Sequence, residues 1–286
     1  MARDPGTLVR GSVEVSSLPA IYTRLNEALN NPRASASQIA DVIAEDTGLT
    51  ARLLRLANSP FYGFPSRIET VSRAVLIIGT QQIRDLALAT SVMSAFRGVP
   101  GDLVDMESFW LHSMATGVAA RVLASQRREA NVERFFVAGV LHDIGRLLLY
   151  KRLPAEARVA LDRARDGDEL LFESERAVMG CDHGGVGGAL LEAWGIPASL
   201  QEVAACHHDP GRAERYPLEA AVVHVADILA HAMEMGTSGE RAVPPLDPPA
   251  WERIGLPATV LAAVLDQADR QVAAAALLIQ PVSRAA

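Results

Sequence analysis

Val132-Glu133-Arg134-Phe135-Phe136-Val137-Ala138-Gly139-Val140-Leu141-His142-Asp143-Ile144-Gly145-Arg146-Leu147-Leu148-Leu149-Tyr150 is an almost unbroken apolar run that carries a histidine and an aspartate side by side. Its length and apolar spacing predict one helix from about Val132 to Tyr150. A glycine inside a helix costs about 1 kcal/mol relative to alanine, and two glycines, Gly139 and Gly145, flank the polar pair. Their use is to let another backbone come close on the side of His142. Tight helix packing alone would also explain them.

Outward from this stretch the helical period continues in both directions. Toward the N-terminus, Pro19 opens a helix with Ile21, Leu25 and Leu29 that Pro32 stops. Ser37 is the expected cap of a second helix with Ile39, Val42 and Ile43. A third carries Leu49, Leu53, Leu54, Leu56 and Ala57 and ends at Asn58-Ser59-Pro60, before an aromatic loop, Phe61 to Arg67, that is expected to pack. Thr70 caps a fourth helix, which Gly79 ends, and Thr80 starts a fifth with Ile83, Leu86, Ala87, Thr90 and Met93. The segment Arg97 to Asp105, with Gly98, Pro100 and Gly101, reads as a joint between lobes. Further helices are expected at about Glu107–Ser125, Ala155–Arg165, Glu169–Met179, Gly185–Trp194, Ala198–His207, Leu218–Met235 and Ala258–Leu278. Gly236 to Pro249 reads as a surface loop. No alternating run bounded by a hairpin turn is present. The expected architecture is therefore all-α, with two packed helical lobes: a flank at 1–16, an N-terminal helical lobe at 17–97, a second helical lobe at 98–235, and a loop with a C-terminal helix at 236–286.

Charge and composition narrow the function. The chain has 286 residues, 49% hydrophobic and 21% charged, as in ordinary globular proteins rather than disordered ones. Net charge is −7, and the densest basic stretch, Arg127-Arg128, closes a helix where cations suit the dipole, so DNA is not an expected partner. No apolar run approaches the roughly 18–20 residues that cross a bilayer. With Arg3, Asp4, Pro5 and Arg10 at its start, the chain is expected to be cytoplasmic, with no membrane partner. Two cysteines, Cys181 and Cys206, are too few for a disulfide framework and read as small buried side chains.

The histidines single out the second lobe, because all seven fall between residues 112 and 231. His112 lies on a helix face continued by Ala115, Thr116 and Ala119. His183 follows Asp182 and opens a Gly-rich helix start, and His207-His208 closes a later helix. Asp227 interrupts the apolar run Ala220 to Leu229, with His224 three residues before it and His231 four after. A carboxylate on an apolar face is costly unless paired or metal-bound. Imidazole and carboxylate donors on facing helices suit Fe, Mn, Zn or Ni, and an adjacent His-Asp pair can bridge two ions. Two such ions, about 3.5–4 Å apart, activate a water and clamp a phosphoryl oxygen.

At these residues the chain resembles the HD superfamily, and within it the HDOD group of bacterial signalling proteins. The order His112, His142-Asp143, His183, His207-His208, Asp227 is similar to the superfamily's metal-binding pattern. Leu18-Pro19, Leu49 to Ser59, Ala74 to Gly79, Trp110 to Ser113, Asp182-His183 and Trp194-Gly195-Ile196-Pro197 resemble HDOD landmarks, over roughly residues 15 to 235. The resemblance implies a two-lobed helical fold and a role in signal transduction or regulation, as a module that binds a signalling protein or a nucleotide-type ligand and mostly lacks catalysis. It implies His112, His142, Asp143, His183, His207, His208 and Asp227 as ligands of one or two divalent ions, with Asp143 bridging and His224 and His231 outside the ligand set. The chain is also similar to the HD-GYP relatives that cleave cyclic diguanylate, which makes a metal-dependent phosphohydrolase the alternative, with Asp143 and Arg146 as its catalytic residues. Arg146 stands where those relatives have Lys, Arg215 where Gly would precede Tyr216-Pro217, and Ser108 where some carry an acid one turn before His112. Arg binds phosphate as a rigid fork rather than a point charge. A third reading is a scaffold whose buried polar groups only hydrogen-bond to one another.

Overall fold

Apolar spacing near 3.6 is realised as helix throughout the computed structural model, which describes residues 3–10, 20–31, 33–96, 98–167 and 169–276. Every regular element among them is helical. Leu18-Pro19, Pro32, Arg97 and the last helix's end at Leu278 lie outside the described residues. The α-helices are α1 (Pro5–Arg10), α2 (Ala20–Asn30), α3 (Ala36–Ala44), α4 (Thr47–Ala57), α5 (Val71–Ile78), α6 (Thr80–Ala95), α7 (Met106–Gln126), α8 (Glu133–Leu141), α9 (Ile144–Arg152), α10 (Pro154–Asp166), α11 (Leu171–Met179), α12 (His183–Ala193), α13 (Ala198–Cys206), α14 (Pro217–Ala232), α15 (Pro248–Ile254) and α16 (Leu261–Ala275).

Helices α2, α4 and α5 pack on α6, with α3 against all three of them, and residues Ile83 and Asp85 to Val92 of α6 are all buried. A helix buried all round needs packing on both sides, and the other side of α6 is α8. The aromatic loop also reaches the second lobe: the Phe61 ring meets the Phe136 edge at 5.1 Å, and the Arg121 guanidinium lies 4.2 Å above Phe61. One hydrophobic core therefore runs unbroken from Val9 to Ala275.

The 21-residue α7 is the axis of the second lobe and packs on α8, α14 and α16. Glycine decides two crossings. A Cβ on Gly139 would stand 2.7 Å from Gly117 Cα, so α7 and α8 touch backbone to backbone. A Cβ on Gly145 would overlap the His183 carbonyl and lie 2.5 Å from Gly187 N, which brings α9 equally close to α12.

Four expectations are corrected. The single helix expected over Val132–Tyr150 is two: α8 stops at Leu141, and Asp143, at φ −96° and ψ 7°, turns the chain before α9. The cap of α3 is Ser35 rather than Ser37; it forms a capping box with Gln38, which Ser37 cannot reach from inside the first turn. The flank before residue 17 contains α1, which packs on α12 through a buried Val9, with the Arg3 amide on Gly180 O at 3.1 Å. Gly236 to Pro249 is more than a surface loop. Ser238 and Glu240 are buried, Glu240 accepts the Leu171 amide at 2.7 Å, Tyr150 Oη donates to Ser238 O at 3.1 Å, and α15 begins at Pro248. Residues 236–242 form a strap over the lobe.

No described helix is long and apolar enough to cross a membrane. Cys181 and Cys206 are free and buried, and burial pushes the Cys181 thiol up to about 11.

Candidate metal centre

Five helices deliver polar side chains to one point in the second lobe. His112 comes from the middle of α7, His142 and Asp143 from the α8–α9 turn, His183 from the first position of α12, His207 and His208 from the end of α13, and Asp227 and His231 from α14. Local chemistry fixes each. His142 and His207 cap the C-terminal ends of α8 and α13 in the same manner, each ring Nδ1 donating to a carbonyl three residues back: Gly139 O at 2.6 Å and Ala204 O at 2.9 Å. A carbonyl only accepts, so both Nδ1 atoms carry protons and both Nε2 atoms point inward. Asp182 caps α12 by accepting the Gly185 amide at 2.7 Å, which sets His183 at the helix start. There Glu175 Oε2 takes both the His183 amide, at 2.8 Å, and its Nδ1, at 2.6 Å.

Asp143 stands at the centre. Its Oδ1 lies 3.0 Å from His183 Nε2 and 3.6 Å from His207 Nε2, while its Oδ2 lies 3.4 Å from His142 Nε2 and 4.0 Å from His112 Nε2. Asp227 Oδ1 is 3.0 Å from His112 Nε2 and 3.4 Å from both His142 Nε2 and His231 Nε2. His208 Nε2 approaches His183 Nε2 at 2.8 Å. All seven expected ligands therefore converge, in three overlapping groups: Asp143, His183, His207 and His208 on one side, and His112, His142 and Asp143 with His112, Asp227 and His231 on the other. Arg146, only 1% exposed, turns inward, with Nε 3.5 Å from Asp143 Oδ1 and Nη2 3.4 Å from His183 Nε2.

Two residues of this neighbourhood were missed. Glu175 shares a buried stripe with Leu171, Ser174 and Met179, so a carboxylate at helical spacing among buried positions was the available signal. His231 was set aside, although its spacing of four from Asp227 places it on the same face, and its side chain is 7% exposed. His224 is held apart: its Nδ1 donates to His207 O at 2.8 Å and its Nε2 accepts the Asp247 amide at 3.0 Å.

The donor set fits a divalent metal. His112 Nδ1 and Nε2, His142 Nε2, Asp143 Oδ1 and Asp227 Oδ1 are buried and form no hydrogen bond within the protein. Buried polar atoms of this kind are expensive unless something satisfies them. Neutral imidazole and carboxylate are the ligands that Zn, Fe, Mn and Ni favour, and outer Nδ1–H bonds to carbonyl or carboxylate are the usual support of ligating histidines. Within this cluster the charges interlock. Burial opposes a charge on His142, but the Asp143 and Asp227 carboxylates outweigh it and raise the imidazole to about 10. Burial and Arg146 likewise oppose a charge on His183, and Glu175 and Asp143 carry it to about 9. Burial would raise Asp143, yet Arg146, His142 and His183 hold it well below the usual carboxylate range. Burial and the cationic His142 and His183 then push His207 down to about 3.

The HDOD domain model matches residues 15–210. An uncharacterised protein of Treponema pallidum (strain Nichols) is 23% identical over 231 residues, which is 80% of this chain but 44% of that protein, so the chain spans less than half the length of this curated relative. An HDOD domain protein of unknown function from Geobacter sulfurreducens superposes with a TM-score of 0.74 at 23% identity, covering 95% of both chains. A protein from Shewanella amazonensis SB2B, described as a candidate phosphohydrolase, superposes with a TM-score of 0.71 at 25% identity, covering 91% of this chain and 92% of its own.

Proposed function

The chain belongs to the HDOD domain family, and from that premise we propose that it is a regulatory module whose second lobe binds divalent metal and answers to a signalling partner or a nucleotide-type ligand. One observation carries the reading: a complete set of inward-facing imidazole and carboxylate donors, buried and without hydrogen-bond partners at five atoms, arranged on both oxygens of one aspartate. His183, His207, His208 and Asp143 would hold one ion, and His112, His142, Asp227 and Asp143 the other. Bound there, the ions supply Lewis acidity and cross-link five helices.

Burial favours regulation over turnover. Hydrolytic sites keep a coordination position open to water and substrate. Here His112, His142, His183 and His207 are at most 1% exposed, Arg146 faces Asp143 rather than solvent, and the strap crosses above with Gly236 against Ser108 O and His112 N.

The second reading, a metal-dependent phosphohydrolase, is favoured by the two-sided placement of Asp143 and by the description of the Shewanella relative. Elemental analysis of the purified protein and of Asp143→Ala tests the first part. The parent is expected to carry metal and the variant to lose it, and added Mn²⁺ or Fe²⁺ should raise the melting temperature of the parent alone. A parent that neither holds metal nor melts higher with added ions refutes metal binding and leaves the hydrogen-bonded scaffold. Hydrolysis of a cyclic dinucleotide by the loaded parent, abolished in the variant, replaces the regulatory reading with the enzymatic one.

A further inference from the structure

We propose, building on the metal-binding reading above, that His231 is a ligand of the ion beneath α7 and fills the coordination position that water would otherwise take. Asp227 Oδ1 is the common neighbour of three imidazole nitrogens, at 3.0 Å from His112 Nε2 and 3.4 Å from each of His142 Nε2 and His231 Nε2. Ligand atoms about 2.1 Å from one ion are separated by about 3.0 Å along an octahedral edge and about 3.4 Å along a tetrahedral one. Measured from Asp227 Oδ1, all three spacings lie within about 0.4 Å of an octahedral edge. His112, Asp227 and His231 also satisfy that condition as a group, with one donor atom each lying within 4.8 Å of the others.

Among the described residues none holds His231 in a hydrogen bond to the backbone, while the other histidine near Asp227, His224, is committed at both ring nitrogens to the backbone. Its ring lies against His112, with centroids 4.4 Å apart, at the last turn of α14. With His112, His142 and Asp227, it makes four protein donors before Asp143 is counted. With His231 and Asp143 counted, this ion has one protein donor more than the ion held by His183, His207, His208 and Asp143, and so one position fewer for water.

The test uses the full chain loaded with Mn²⁺ alone. Bound metal is counted by elemental analysis, and inner-sphere water is read from the proton relaxation rate of the solvent per bound Mn²⁺. His231→Ala should keep the parent's metal count, raise the relaxation per ion above the parent's as one water enters, and return to the parent's value on adding free imidazole. His231→Gln, which preserves side-chain bulk, should behave as the alanine variant does before imidazole is added. Relaxation per ion that is equal in parent and variants, or that rises but ignores imidazole, overturns the assignment of His231 while leaving the metal-binding reading in place. A parent that binds no Mn²⁺ overturns both.

Discussion

Gly145→Ala separates the positioning of the centre from its chemistry, because it adds one methyl group and removes no ligand side chain. That methyl would overlap the His183 carbonyl and stand 2.5 Å from Gly187 N, against the 3.4–4 Å of ordinary contact. The obstacle is backbone on both counts, so no rotamer can yield, and α9 must part from α12 by about 1 Å or more. Overpacking of this kind costs about 1–3 kcal/mol, and the rigid partner argues for the upper end. The better helix propensity of alanine returns about 1 kcal/mol. The net of about 2 kcal/mol corresponds to roughly 3 °C in melting temperature for a chain of 286 residues. The larger effect falls on metal. Asp143 precedes α9 and His183 opens α12, and their 3.0 Å separation widens with the helices, whereas a metal site tolerates about 0.2 Å in its bond lengths. Melts with and without Mn²⁺, paired with elemental analysis, should show a small destabilisation and a large loss of bound metal. Gly101→Ala, where the added methyl meets nothing within 4 Å, is the control and should match the parent. A Gly145→Ala protein that keeps full metal content and melts within about 1 °C of the parent refutes the close-packing argument.

Glu175→Gln should weaken metal binding about 10- to 100-fold in a competition titration with little change in secondary structure, since it removes the charge that orients His183 through Nδ1. Denaturant unfolding of the metal-free protein should be a single transition with fluorescence and circular dichroism coinciding, because the core crosses from one lobe to the other without a gap. Burial raises the Asp85 carboxyl above its ordinary value, although Arg84 and Asn131 lie beside it. A group that gains a proton on folding stabilises most below the unfolded-state pKa, and that contribution is lost as pH rises through the folded-state value. Asp85→Asn should therefore raise unfolding stability at pH 7 by about 1 kcal/mol or less, an advantage that shrinks toward pH 4; a constant difference across that range would refute it.

Fold class was legible because the signal is redundant: the apolar stripes of α3, α4 and α5 and the caps Thr70 and Gly79 each predict the same elements independently. The convergence of the seven expected residues was legible from residue type and from the order that resembles the superfamily's pattern. The break between α8 and α9 was not, since Leu141 to Leu149 are apolar enough to continue a helix, and only the bond from the His142 ring to Gly139 O marks where α8 ends. Glu175 and His231 were missed for a different reason. Each sits at helical spacing on a buried face, but a single polar residue there has several ordinary explanations, and its partner lies on another helix or a turn away.

The crossing of Gly117 and Gly139 gives the molecule a mechanical property. Most helix contacts are cushioned, because a side chain between two backbones can change rotamer and absorb a small shift. Here Gly139 meets the Gly117 backbone directly, with the Val140 and Phe136 side chains close against Gly117. At its far side α8 presses on α6 of the first lobe, and at its near end α7 receives the strap through Ser108 Oγ, which accepts the Thr237 amide at 3.0 Å. The strap, α7, α8 and α6 thus form one continuous run of contacts between the two lobes, with its tightest point at the glycine pair.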